Sequence, residues 1–259
     1  MKNTLVRLER ERGIARIVFN RPEQLNAINV DTAKAFDKAC EAIEHDSTVR
    51  VVVISGEGTS FGVGGDLRSF TASPQTTALE IIKPMHRGLL RLTQMAAPIL
   101  ASLHGNVSGG SMSLAMACDI AIASSDTRFN LAYVNVAASC DVGGSWHLAR
   151  LVGMRRAMEI ALLSPTLNAE DALRLGLVNQ VVPASEITEA TNHLAMRLEN
   201  GPTAAYGRIK RLIRASQLND LPTQLDLEKD GFYESAGTAD FKDALQAFFE
   251  RRPPQFNGR

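Results

Sequence analysis

Four short apolar runs mark the first half of the chain, at residues 14–19, 49–54, 99–103 and 120–123, each closing near Gly, Asn, Ser or His. Their length and β-branched content predict buried strands. Between them, residues 30–44 set Ala33, Phe36, Ala39, Cys40 and Ile43 at three- and four-residue spacing, the pattern of a helix with one apolar face. A second helix is predicted over 84–95, opening on Pro84, because proline suits a first helical turn. Strands alternating with helices predict an α/β architecture with crossover connections and a mostly parallel sheet. From Trp146 onward the strand signal fades, and 154–163, 169–174, 186–199, 204–215 and 240–251 read as helices. Without an internal repeat or a low-complexity linker, the expected organisation is a core over 1–201 and a helical C-terminal region over 202–259.

Composition narrows the partners. A chain of 259 residues with 45% apolar content can bury a sizeable core. Basic and acidic residues both total 28, so there is no basic excess of the kind nucleic-acid binding requires. The scattered Cys40, Cys118 and Cys140 lack C-x-x-C spacing, which predicts free thiols in a reducing compartment and no metal site. The opening MKNTLVRLERERGIARIVFN has no continuous apolar core of a signal peptide, and the small-apolar region 114–123 is interrupted by Asp119 and too short to span a bilayer. A cytoplasmic protein without a membrane partner is expected.

Two strand-end loops share a design. FGVGGDL (61–67) follows one predicted strand and HGNVSGGSMSLA (104–115) follows another, each offering glycine N–H groups. Two such donors converging on one carbonyl form an oxyanion hole, and losing one donor typically costs about 2.7–4 kcal/mol of transition-state stabilisation. Glycine-rich turns after strands are also common as plain structure. Farther on, SCDVGGSWHLARLVG (139–153) sets Asp141 just before a Gly-Gly pair and a helix. An aspartate there is either a helix cap or a proton carrier beside a close-approaching backbone.

Read together, five ordered motifs resemble the crotonase, or enoyl-CoA hydratase/isomerase, superfamily. They are FNRPEQLNAIN (19–29), FGVGGDL, PILASLHGNVSGGSMSLAMACDIAIAS (98–124), the Gly143-Gly144 segment and FFERRPPQFNG (248–258). The resemblance implies an α/β fold with a β-β-α spiral core and a helical C-terminal trimerisation region. It further implies a homotrimer or dimer of trimers acting on an acyl-CoA thioester, with coenzyme A as part of the substrate and no separate cofactor. By the same resemblance the Gly65 and Gly110 N–H groups hold the thioester oxygen, and Leu25, Val63 and Gly64 lie along coenzyme A. The basic run Arg208, Lys210, Arg211 and Arg214 offers phosphate contacts, with Arg208 and Lys210 assigned to them, against a solvated helix face as the plain alternative.

Departures from the family pattern narrow the chemistry. Hydratases of the family carry two glutamates at positions that hold Ser113 and Tyr133 here, and neither can act as a carboxylate base. The surviving acid is Asp141. Its D-x-G-G-S motif and the C-terminal TQLDLEKD (223–230) resemble ring-1,2-epoxyphenylacetyl-CoA isomerases, which implies a single carboxylate shuttling a proton over the oxyanion hole. Burial beside Tyr133, Val136 and Trp146 would raise the Asp141 pKa. The alternative resemblance is to 4-chlorobenzoyl-CoA dehalogenases, with Asp141 as nucleophile and His86 activating water. A third reading is a catalytically altered acyl-CoA-binding member.

The remaining polar residues read as structure: His104 as a turn residue, Cys140 as a small buried thiol, Asp66 as a cap for a helix near Leu67, and Tyr133 and Trp146 as pocket walls. The acyl pocket is expected from residues 69–86 and neighbouring loops.

Overall fold

The computed structural model describes residues 4–258; the ends of the two expected regions, Met1–Asn3 and Arg259, lie outside them. In chain order the strands and helices are β1 (Val6–Glu11), β2 (Ile14–Phe19), α1 (Val30–Glu44), β3 (Val51–Gly56), α2 (Pro74–Gln94), β4 (Ile99–Leu103), β5 (Asn106–Ser108), α3 (Gly109–Ala117), β6 (Ile120–Ser124), β7 (Arg128–Asn130) and α4 (Gly144–Leu163). They continue as β8 (Leu167–Asn168), α5 (Ala169–Leu175), β9 (Gln180–Val182), α6 (Ile187–Glu199), α7 (Thr203–Ala215), α8 (Leu221–Ala236) and α9 (Ala239–Glu250).

A six-stranded sheet runs in the order β1-β2-β3-β4-β6-β9, antiparallel only at the β1/β2 hairpin. A small three-stranded sheet runs β5-β7-β8. From β4 to β7 successive strands alternate between the two sheets, and β9 returns to the large one after β8, so this part of the chain advances as a spiral. Both faces of the large sheet are covered, which is why β3 opens on the unbroken apolar run Val51–Ile54 and β4 is buried along its whole length, with Ser102 its one polar residue. Val51, Val53 and Leu100 point one way and pack with Ala195 and Leu198 of α6. Val52, Ile54 and Ala101 point the other way, into the main core with Phe36 and Cys40 of α1 and Met85 and Leu92 of α2.

Several boundaries differ from the sequence reading, for local reasons. The second helix opens on Pro74, not Pro84: the same first-turn preference applies ten residues earlier, and Pro84 is buried inside the helix. β1 reads VRLERE and has one partner strand, so its polar residues face solvent and carry little apolar signal. α4 is two helices meeting at Gly153, whose φ of 74° and ψ of 160° break the helical path. α8 was not expected. Among the described residues, no helix is long and apolar enough to cross a membrane.

α7 is tied to the rest of the molecule by polar contacts. Lys210 Nζ lies 2.6 Å from Asp119 Oδ2 and Arg214 Nη2 2.8 Å from Asp119 Oδ1. The helix meets the chain before β4 so closely that a Cβ on Gly207 would sit 2.5 Å from that of Ala96. The outer helices leave large apolar side chains in solvent, among them Phe248 and Phe249 at 77% and 79% exposure.

Candidate active site

The two glycine loops lie side by side as a short parallel ladder. Gly62 N–H donates to Asn106 O at 3.1 Å, Ser108 N–H donates to Gly62 O at 2.9 Å, and Gly64 N–H donates to the Ser111 hydroxyl at 3.1 Å. Gly64 has φ +84°, and a Cβ there would fall 3.1 Å from both Gly110 N and Ser108 O, so the backbones abut where only glycine fits. On the other flank, Ile28 N–H donates to Gly64 O at 2.7 Å and Asp66 N–H to Ile28 O at 2.9 Å. These bonds bracket Gly65. Among the described residues its own N–H meets no acceptor. Gly110 is the second residue of α3, so its N–H belongs to the first turn that has no helical partner and carries the positive end of the dipole. Two backbone donors are thus left over at adjoining loops.

Asp141 reaches this place by an irregular path. After β7 the chain makes a tight turn over Tyr133–Val136 bounded by Ala132 and Ala137, both left-handed at φ 55° and 54°. It then passes Asp141, Val142 (φ 49°) and Gly143 (φ 75°) into α4. A β-branched residue at positive φ costs on the order of 1–3 kcal/mol. Val142 is held there by burial, at 2% exposure, and by its N–H donating to His86 Nε2 at 3.0 Å. Accepting that bond, His86 carries its proton on Nδ1. The Asp141 side chain does not cap α4. Its Oδ1 instead lies 3.3 Å from where a Gly110 Cβ would stand, and accepts the hydroxyl proton of Tyr133. The Tyr133 oxygen is also 2.9 Å from the Ser113 hydroxyl.

Burial pushes the Asp141 carboxyl above the usual range, while the Tyr133 hydrogen bond pulls it back. Burial also raises Tyr133, reinforced by the Asp141 charge, so the phenol keeps its proton. Cys140 is raised by burial and by Asp141, which leaves a poor nucleophile. Val136 and Trp146, expected to shield Asp141, are 50% and 40% exposed; Tyr133 is the member of that trio in contact with it.

The remaining assigned residues divide. Leu25, left-handed at φ 50° and 39% exposed, and half-buried Val63 belong to the same loop cluster, which Asn26 ties together by donating to Ser60 O at 2.7 Å and Glu57 O at 2.9 Å. Arg208 and Lys210 are engaged elsewhere. Arg208 pairs with Glu234 at 3.0 Å, and Lys210, whose side chain is 10% exposed, is held between Asp119 and Ala97 O, with burial lowering its pKa. A phosphate at Lys210 would have to displace the Asp119 pair. Asp66 accepts from Arg68 N–H, capping the short turn there, and pairs with Arg21 at 3.0 Å. His104 lies 3.0 Å from Gly58 O, a turn contact.

An apolar cavity of about 610 Å³ opens beside His86 and Gly143 and extends along Leu89, Leu90, Trp146 and Leu218, with His147 and Arg214 at its wall. It starts where the expected 69–86 lining ends. Sequence reasoning missed it because α2, α4 and α7 meet there from distant parts of the chain. Burial first, then Arg214 and Arg150, pushes the His147 imidazole down to about 4, so it is neutral near pH 7.

The sequence profile of the family described as enoyl-CoA hydratase/isomerase matches residues 9–259. A 1,2-epoxyphenylacetyl-CoA isomerase of Escherichia coli is 33% identical, with 96% of this chain and 97% of that protein covered. A short-chain-enoyl-CoA hydratase of Clostridium acetobutylicum is 35% identical over 95% of this chain and 94% of its own. Among solved structures, an enoyl-CoA hydratase from a Polaromonas species superimposes with a TM-score of 0.91 at 30% identity, covering 97% of this chain and 99% of that one.

Proposed function

The chain belongs to the enoyl-CoA hydratase/isomerase family, and from that premise we propose that it isomerises an acyl-CoA, with Asp141 as its one proton carrier. The observation that carries this reading is a lone carboxylate beside Gly110, with a serine and a tyrosine where the resemblance places the hydratase glutamates. The thioester oxygen accepts from the Gly65 and Gly110 N–H groups. Asp141 removes a proton from the acyl chain, and the C–H electron pair moves into the thioester as an enolate that those donors stabilise. The resulting carboxylic acid returns the proton to another carbon, so the double bond or ring is rearranged without a net gain or loss of atoms. A carboxyl raised by burial suits both directions of transfer.

The dehalogenase alternative needs a free histidine base, whereas His86 Nε2 already accepts from Val142 N–H. That geometry favours isomerisation. Leu25, Val63 and Gly64 are proposed to line coenzyme A, and the chain to assemble as a homotrimer or dimer of trimers, a reading that the exposed Phe248 and Phe249 support only as far as a contact between copies. Incubating the protein with unsaturated and aromatic acyl-CoA thioesters in deuterium oxide tests the reading. Deuterium entering the acyl chain, lost in Asp141→Asn, is the expected result; label entering equally in both proteins, or chloride released from 4-chlorobenzoyl-CoA, sinks it.

A further inference from the structure

Tyr133 occupies a position whose family counterpart would be a base, yet its surroundings forbid that role. Its hydroxyl proton is committed to Asp141 Oδ1, so in the 2.9 Å contact behind it Ser113 must be the donor. The result is a one-way chain in which Ser113 donates to Tyr133 and Tyr133 donates to Asp141. Ser113 is fully buried on α3. Asp141 Oδ2 receives no protein donor among the described residues.

We propose that Tyr133, backed by Ser113, is a positioning residue that clamps one oxygen of Asp141 and leaves the other as a single, fixed proton carrier. The proposal deepens the isomerase reading and rests on it. A carboxylate free to rotate offers two equivalent oxygens and many directions, whereas one clamped at Oδ1 presents Oδ2 in one orientation, which is what a proton transfer between two carbons on the same face, one carbon apart, requires. The hydrogen bond also favours the anion over the acid, opposing the effect of burial.

The other groups facing Asp141 are few. His86 approaches from α2, Cys140 is its chain neighbour, and His147 stands at the start of α4 against Gly143. α3 contributes no ionisable side chain, only Ser113 and the Gly110 backbone. Tyr133 is therefore the principal counterweight to burial.

The test follows the isomerisation of 3-hexenoyl-CoA, whose conjugated product absorbs in the ultraviolet, as a function of pH. Tyr133→Phe is expected to lower kcat on the order of tenfold, as befits losing a hydrogen bond to a charged group. KM should stay unchanged, and the acid limb of kcat/KM should move to higher pH. Ser113→Ala should shift the limb the same way by less. A folded Tyr133→Phe protein with the native rate and acid limb overturns the proposal. If that variant does not fold by circular dichroism, Ser113→Ala decides, and a native limb there overturns it equally. Asp141→Asn separates the two levels: an inactive Asn variant beside a native-like Phe variant defeats only the clamp, while an active Asn variant defeats the isomerase reading itself.

Discussion

The two sides of the site are built of different material. The glycine-loop side consists largely of backbone held by backbone: the Gly62 bonds to the second loop, the Ile28 bridge, and the first turn of α3, with the Ser111 hydroxyl added under the Gly64 N–H. The Asp141 side consists of side chains on an irregular segment with left-handed residues at Ala132, Ala137, Val142 and Gly143. Side chains change one codon at a time, whereas the donor side changes mostly by moving main chain. Under the proposed reading, the donors would serve many reactions while the opposite wall sets which one occurs.

The comparison breaks most sharply at Asp141. Asp141→Asn should reduce kcat by about 10²–10⁴, the usual share of a positioned acid-base group. The same variant should not lose stability. Burial raises this carboxyl, so the folded protein binds its proton more tightly than the unfolded chain, and the ionised group works against folding once pH exceeds the unfolded value. A neutral amide removes that cost, and the melting midpoint should rise by up to about 2 °C at pH 7. In the native enzyme, activity should fall as pH drops through the raised Asp141 value, at a higher pH than an ordinary carboxylate would give.

Next comes the backbone side. Gly64→Ala places a methyl 3.1 Å from Gly110 N at φ +84°. Rates should fall by about 10²–10³, as for loss of one oxyanion donor, and both kcat and melting temperature should drop together. A native rate there would show that the loops need not abut.

His86 sharpens the contrast at a smaller scale. His86→Ala should cost about tenfold in kcat as the Val142 turn relaxes, while His86→Gln, whose amide oxygen replaces the acceptor, should retain most activity. A general base would lose equally in both variants.

The smallest effect belongs to the basic helix. Lys210→Ala should leave the KM for an acyl-CoA unchanged but lower the melting temperature, because it leaves Asp119, whose side chain is 16% exposed, with Arg214 as its one remaining ion-pair partner among the described residues, beside the Ile99 N–H.

The sequence carried what is local. The apolar strands, the glycine loops and the amphipathic α1 declare themselves within a dozen residues, and the family motifs place the loops in order. What depends on distant partners did not show. Lys210 and Arg208 display charge, but Asp119 stands ninety-one positions before Lys210 in the chain and cannot be read as its partner from spacing. Tyr133 and Asp141 are eight apart, a separation that pairs them only because Ala132, Ala137 and Val142 adopt conformations that alanine and valine do not advertise. Pro84 misled for a similar reason. A proline opens helices more often than it sits inside them, and the burial of Met85, Leu89 and Leu92 was needed to hold it there.

One hydroxyl acts as the gauge between the two donor loops. Ser111 Oγ, 3% exposed as a residue, receives the Gly64 N–H at 3.1 Å, and a Cβ on Gly62 would stand 2.5 Å from the same oxygen. Together with the backbone bonds of Gly62, that one oxygen sets how far apart the two loops stand, and so the bite of the carbonyl seat proposed between Gly65 and Gly110.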